Sequence, residues 1–127
     1  MSHERETVTA LGAPSAVGPY SHAVAAGGLL FCSGQIPLDP SGELVGDTPA
    51  EQTGRCLENL RAVCDAAGAT LERAVRLTIY TTRLDDFAAI NDAYGSFFAD
   101  SPPARVAVGV DALPKGALVE IDAVVAL

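Results

Sequence analysis

The last quarter of the chain limits the possible folds more than any other stretch. Pro102 to Leu127 reads PPARVAVGVDALPKGALVEIDAVVAL and holds two strand-like runs. In the first, Val106, Val108 and Val110 alternate with Arg105, Ala107 and Gly109. In the second, Val119, Ile121, Ala123 and Val125 alternate with Leu118, Glu120 and Asp122. Successive side chains of a strand point to opposite faces, so each run has one apolar face, expected to pack on a core. The opposite face carries one arginine among very small residues, and then two carboxylates. A guanidinium flanked by Ala and Gly has empty space around it, which suits a lined pocket or a subunit contact. If the two runs pair antiparallel across Asp111 to Ala117, Arg105 lies near Glu120 or Asp122. A surface salt bridge on a half-exposed sheet, usually worth little, fits the same pattern.

With 127 residues, the chain is long enough for one domain with a real core, expected over 1–127, and too short for two. Apolar residues make up 49% and there is no Trp, so that core is built from Ala, Val, Leu and Ile. Sixteen acidic against eight basic residues give a formal charge of −8. Such a surface disfavours non-specific binding to nucleic acid, though it leaves room for a local basic spot. The three cysteines, Cys32, Cys56 and Cys64, lie in apolar runs, and their odd number argues against a disulfide framework. Cys56 and Cys64 fall in one predicted helix, roughly 12 Å apart, too far to bridge. The two histidines, His3 and His22, offer no zinc spacing. The polar start of the chain, Ser2 to Glu6, is unlike a signal peptide, and no apolar run reaches the ~18 residues of a membrane span. A reducing cytoplasm is the expected location.

Thr7 to Leu11 reads as a first short strand, broken by Gly12–Ala13–Pro14–Ser15. The turn around Gly18–Pro19 then fixes Tyr20, as a packing anchor or a site residue. His22–Ala26 and Leu29–Ser33 flank Gly27–Gly28, a tight-hairpin signal. Ser33–Gly34–Gln35 fits a bulge or a place where a ligand approaches backbone N–H groups. Thr48–Pro49–Ala50–Glu51 joins a capping box to a proline at the first helical position. The stripe of that helix is Leu57, Leu60, Cys64 and Ala67, with Val63 beside it, and Gly68 stops it. Asn59 and Arg61 fall off the stripe and are expected in solvent. In Ala74–Thr82, Val75, Leu77, Ile79 and Thr81 alternate with Arg76, Thr78, Tyr80 and Thr82, as in a strand with one buried and one polar face. Asp85 or Asp86 is expected to cap a second helix with the stripe Phe87, Ile90, Tyr94 and Phe97 or Phe98, ended by Ser101–Pro102–Pro103. Asn91, one turn after Phe87, reads as a hydrogen-bonded structural residue. The order fits an α+β domain: one sheet of about six strands with two helices on one face. The other face, with Thr78, Tyr80, Ala107, Gly109 and Leu118, is of a kind commonly buried by another subunit.

Taken together, Gly18–Pro19–Tyr20–Ser21, Ser33–Gly34–Gln35–Ile36–Pro37, Asn59–Leu60, Ala67–Gly68, Asn91–Asp92–Ala93–Tyr94, Pro103–Ala104–Arg105 and Leu113–Pro114–Lys115–Gly116–Ala117 with Val119–Glu120–Ile121 resemble the pattern of the reactive-intermediate deaminase family, the Rid/YjgF group. The motifs stand in the family's order over nearly the whole chain. The resemblance implies a chorismate-mutase-like fold and a homotrimer with three sites in the clefts between subunits. It implies hydrolysis of reactive enamines and imines, such as 2-aminoacrylate, to 2-oxo acids and ammonia, without cofactor or metal.

On this resemblance Arg105 grips the carboxylate of a 2-imino or 2-oxo acid with its planar fork. Glu120 orients or deprotonates the attacking water, held beside the reacting carbon. Tyr20 and Ser33 bind the substrate or its departing nitrogen, the Gly34 amide helps hold the carboxylate, and Asn91 lines the cleft. Ala107 stands where many members carry cysteine, so that thiol is absent, and His22 stands where glutamine is frequent, at the edge of the site. Two other functions stay open: a regulatory protein that binds 2-oxo acids without turnover, and an endoribonuclease, which the charge of −8 counts against.

Overall fold

Gly27 and Gly28, at φ of 60° and 80°, turn the chain in the left-handed region that glycine adopts without a Cβ clash. They close a hairpin between β2 (Ala23–Ala26) and β3 (Leu29–Gln35). The computed structural model describes residues 4–98 and 100–127, so His3 lies outside it. The remaining elements are β1 (Glu6–Val8), α1 (Pro49–Ala66), β4 (Ala74–Thr81), α2 (Phe87–Gly95), β5 (Ala104–Gly109) and β6 (Val119–Ala126). The six strands form one mixed sheet in the order β1-β2-β3-β6-β4-β5, with only β4 and β5 parallel. The expected α+β domain, six strands with two helices on one face, is what the chain forms.

α1 begins as its sequence dictates. Thr48 accepts from the Glu51 N–H, and the Glu51 carboxylate accepts from the Thr48 N–H, with Pro49 at the first helical position. Its buried stripe, Cys56, Leu57, Leu60, Val63 and Cys64, packs with Leu77, Ile79, Val119, Ile121, Ala123 and Val125 of the sheet. Ile90, Tyr94 and Phe98 complete the same core from the second helix and its exit.

Several expectations need correction. β5 and β6 do not pair. α2 carries the chain from β4 to a parallel β5, because parallel neighbours need a crossover, and β6 then inserts antiparallel between β3 and β4. β5 shares a face with β4 through the pairs Leu77↔Arg105, Ile79↔Ala107 and Thr81↔Gly109, so Arg105, Ala107 and Gly109 lie on the helix side. Val106 and Val108, paired with Thr78 and Tyr80, lie on the open face and are 41% and 38% exposed, not in the core. Leu118 packs towards the core. Val75 is exposed because the ladder slips between Ala74 and Arg76. Asp86 makes no side-chain cap; Arg83 holds it instead, at 3.4 Å.

Asn59 is buried, not solvated. Its Nδ2 donates to the carbonyls of Ile36 (3.1 Å) and Leu38 (2.9 Å), pinning the segment after β3 to α1. Two such bonds contribute about 0.5–1.5 kcal/mol each. Asn59→Ala should therefore lower unfolding free energy by about 1–3 kcal/mol in urea melts; a loss within error would mean that water replaces both bonds.

Candidate functional site

The candidate residues fall into two groups. The first forms where β3 meets β6. Cys32 pairs with Ala123 but Gln35 with Ile121, so two residues, Ser33 and Gly34, oppose the single Asp122 and form a bulge. Glu120 of β6 lies against that bulge. A Cβ at position 34 would collide with its carboxylate, so only glycine lets the acid approach the backbone so closely. The bulge expected from the sequence forms, and the group that comes close to it is the chain's own Glu120.

Ser33 donates its hydroxyl proton to the Ser21 carbonyl at 2.7 Å, leaving only acceptor lone pairs for another group. The Tyr20 oxygen accepts a long bond from the Val17 N–H at 3.4 Å, and its own proton stays available to donate. Tyr20, Ser33, Gly34 and Glu120, with Val17, Ile36 and Pro114, line a cavity of about 500 Å³. His22 is not at its rim. It is buried, accepting from the Ala10 N–H at Nδ1 (2.9 Å), with Nε2 2.7 Å from the Pro14 carbonyl. Those partners require the neutral, Nε2-protonated ring, which ties the 10–14 segment to the start of β2.

Burial, and then the charge of Asp122 two residues along the same strand, push the Glu120 carboxyl above its ordinary value. Tyr80 sits directly across from Glu120 on β4 and donates to Asp122 Oδ2 at 3.1 Å. A carboxylate raised in this way is a better base than an exposed one.

The second group is built on α2. Phe87, Asn91 and Tyr94 recur at helical spacing on one face. Arg105 reaches them from β5: its Nη1 donates to Asn91 Oδ1 at 2.7 Å, and its guanidinium lies 5.3 Å from the Phe87 ring centre and 4.9 Å from that of Tyr94. Sequence reasoning gave no site role to Phe87 or Tyr94, read as part of the apolar stripe, nor to Val17, Ile36 or Pro114, though Tyr94, Ile36 and Pro114 stand in the family motifs. The i, i+4, i+7 spacing was a signal for the first two; the face of β5 that carries Arg105 was not readable. Ala107 follows Arg105 on the same side.

One chain does not unite the two groups. Arg105 lies on the helix side of β5, whereas Glu120, opposite Tyr80, lies on the open side of β6, with β4 between them. The molecule thus presents a carboxylate-bearing cavity at one place and a cationic fork at another.

This is a small α+β domain with a glutamate seated on a glycine bulge between its central strands. A family profile described as Endoribonuclease L-PSP matches residues 10–127, and the chain belongs to that family, the Rid/YjgF group. It is 50% identical over 123 residues to the RutC family protein y4sK of Sinorhizobium fredii, covering 96% of this chain and 98% of that one. It is 40% identical over 121 residues to the 2-iminobutanoate/2-iminopropanoate deaminase of Bos taurus, covering 94% and 88%. A crystal structure of E. coli TdcF with bound serine superposes with a TM-score of 0.90 at 36% identity, covering 96% and 98%.

The position of Glu120 also affects stability. Its carboxyl pKa is higher folded than unfolded, so folding takes up protons. Stability is greatest below the ordinary value of 4.5 and falls as pH rises through the raised one. Glu120→Gln should therefore raise the Tm at pH 7 and leave it nearly unchanged at pH 3.5, measured by calorimetry; an equal shift at both would assign the effect to packing.

Proposed function

We propose that the chain hydrolyses reactive 2-imino acids and their enamine tautomers, such as 2-aminoacrylate, to 2-oxo acids and ammonia, at sites completed between neighbouring copies. The observation that carries this reading is the Glu120 carboxylate, seated on the Gly34 bulge in a cavity shared with Tyr20 and Ser33. Water adds to the imine carbon as Glu120 takes its proton. The carbon–nitrogen bond then breaks, and nitrogen leaves as ammonia once protonated. The Ser33 lone pairs accept from the substrate N–H, and the Tyr20 hydroxyl donates to the developing charge. The Gly34 N–H assists in holding the carboxylate. Water supplies both the oxygen and the protons, so no cofactor or metal enters the scheme.

Arg105 supplies the grip on the substrate carboxylate, contributed by the adjacent copy. The distance that β4 imposes between Arg105 and Glu120 within a chain supports this division, as does the open sheet face, where Phe31, Val106 and Val108 are 47%, 41% and 38% exposed. A ring of three copies, each one domain over 1–127, closes such a contact. Among the described residues, no helix is long and apolar enough to cross a membrane. All three cysteines are buried and unpaired, in keeping with action in the reducing cytoplasm. Binding of 2-oxo acids without turnover would leave the raised Glu120 unused. The endoribonuclease reading has the family description behind it, and the charge of −8 against it.

The test is ammonia and 2-oxo acid release from imines made in situ by an amino-acid oxidase or a dehydratase. Wild type should accelerate release, and folded Arg105→Ala and Glu120→Gln proteins should lose at least about a hundredfold in rate. Near-normal turnover in either variant would refute its assigned part. Unfolding the two inactive variants together and reassembling them at equal concentration should restore roughly a quarter of wild-type activity, since one interface in four receives both intact residues. Mixed trimers seen by mass spectrometry but devoid of activity would place both residues in the same chain's site.

A further inference from the structure

Asn91 has more to do than line a cleft. We propose that the Phe87–Asn91–Tyr94 face of α2 is a cradle that fixes the Arg105 fork without compensating its charge, and that the neutrality of Asn91 is what leaves the fork selective for a ligand carboxylate. The inference rests on the reading of Arg105 as a carboxylate-binding group.

Three residues one helical turn apart meet the guanidinium together. Two aromatic rings lie 5.3 Å and 4.9 Å from it, and the Asn91 amide oxygen accepts from Nη1 at 2.7 Å. Rings attract a cation through their quadrupoles without adding a formal charge. The amide oxygen orients one N–H group in the same way, also without charge. A guanidinium has five N–H donors, so one bond to Asn91 leaves most of the fork for a second partner. Among the described residues, no carboxylate pairs with Arg105.

The acids in and just before α2 make no ion pair with Arg105 among the described residues. Asp85 and Asp86, just before α2, both pair with Arg83, at 3.5 Å and 3.4 Å. Asp92 follows Asn91 on the helix, but neighbours in sequence point about 100° apart and do not share a face. An aspartate at position 91 itself would bind the guanidinium more tightly than asparagine does. It would also occupy and neutralise the fork. The stronger internal bond would thus make the weaker site. Asn91 is a positioning residue in this scheme and need not touch the ligand.

Calorimetric titration with pyruvate tests the idea on the intact protein. Asn91→Asp should raise the Kd about tenfold or more while keeping or raising the Tm, because the internal pair strengthens as ligand binding weakens. Asn91→Gln, which keeps a neutral amide, should stay within about threefold of wild type. A purely structural asparagine would instead lower the Tm in both variants and would not separate them by ligand affinity. If Asn91→Asp binds pyruvate as wild type does, while Arg105→Ala does not bind it, the cradle's neutrality is irrelevant and the proposal falls. If Arg105→Ala retains wild-type binding, or wild type binds no pyruvate, the carboxylate reading fails and the proposal falls with it. Nitrogen-15 NMR of the arginine side chain adds a measurement without ligand. Rotation of the Arg105 guanidinium should be hindered in wild type and freed in Asn91→Ala; free rotation in wild type would overturn the cradle.

Discussion

β6 joins the two halves of the sheet. It pairs antiparallel with β3 on one side and β4 on the other, and among the described residues no other strand links them. A strand in that position must satisfy hydrogen bonds along both edges and pack one face completely. Val119, Ile121, Ala123 and Val125 meet the second demand, all of them buried against α1 and its neighbours. The alternate positions are then forced onto the open face, and Glu120 and Asp122 stand there. The carboxylates owe their position to the same alternation that builds the core. β5 is six residues long, and Pro102 and Pro103 precede it. Such a strand suits only the margin of the sheet.

The bulge in β3 turns that placement into a candidate site. An unbroken ladder would keep the strand regular beside Glu120. The extra residue bends β3, and the missing side chain of Gly34 opens room for an acid against the backbone. Partial burial then disfavours the charge, and Asp122 adds to the effect. The Tyr80 hydroxyl takes up one oxygen of Asp122, which leaves Glu120 as the carboxylate without a side-chain hydrogen bond in this pair. Local geometry, more than residue identity, separates the chemistry of the two acids.

How far the sequence reveals this depends on the range of each interaction. The start of α1, the Gly27–Gly28 hairpin and the Ser33–Gly34 bulge are written in a few neighbouring residues, and each forms where its signal lies. The sheet order is not local. Two valine runs separated by a short loop invite a hairpin, and only the α2 crossover, which makes β5 parallel to β4, rules it out. Val106 and Val108 carry the same alternation whether they face a helix layer or an uncovered surface. Asn59 looked solvated because helical periodicity counts apolar residues, and cannot see two carbonyls waiting on another segment. Of the candidate site, Tyr20, Ser33, Gly34 and Glu120 share one cavity, while Asn91 and Arg105 share another place. The individual residues were legible; the division between them was not, because it follows from strand order.

That strand order also has a consequence for how the chain behaves at high concentration. β5 closes the sheet with one side of its backbone unpaired within the fold, and Val106 and Val108 stand exposed on it. An uncovered margin of this sort is a template on which any passing extended segment can add itself. Shortness, the two prolines before the strand and the charge of Arg105 restrain such addition without abolishing it. A segment that adds there would extend the sheet without disturbing its packed side, so association by this route requires no loosening of the core, and crowded expression is where it would surface as aggregates.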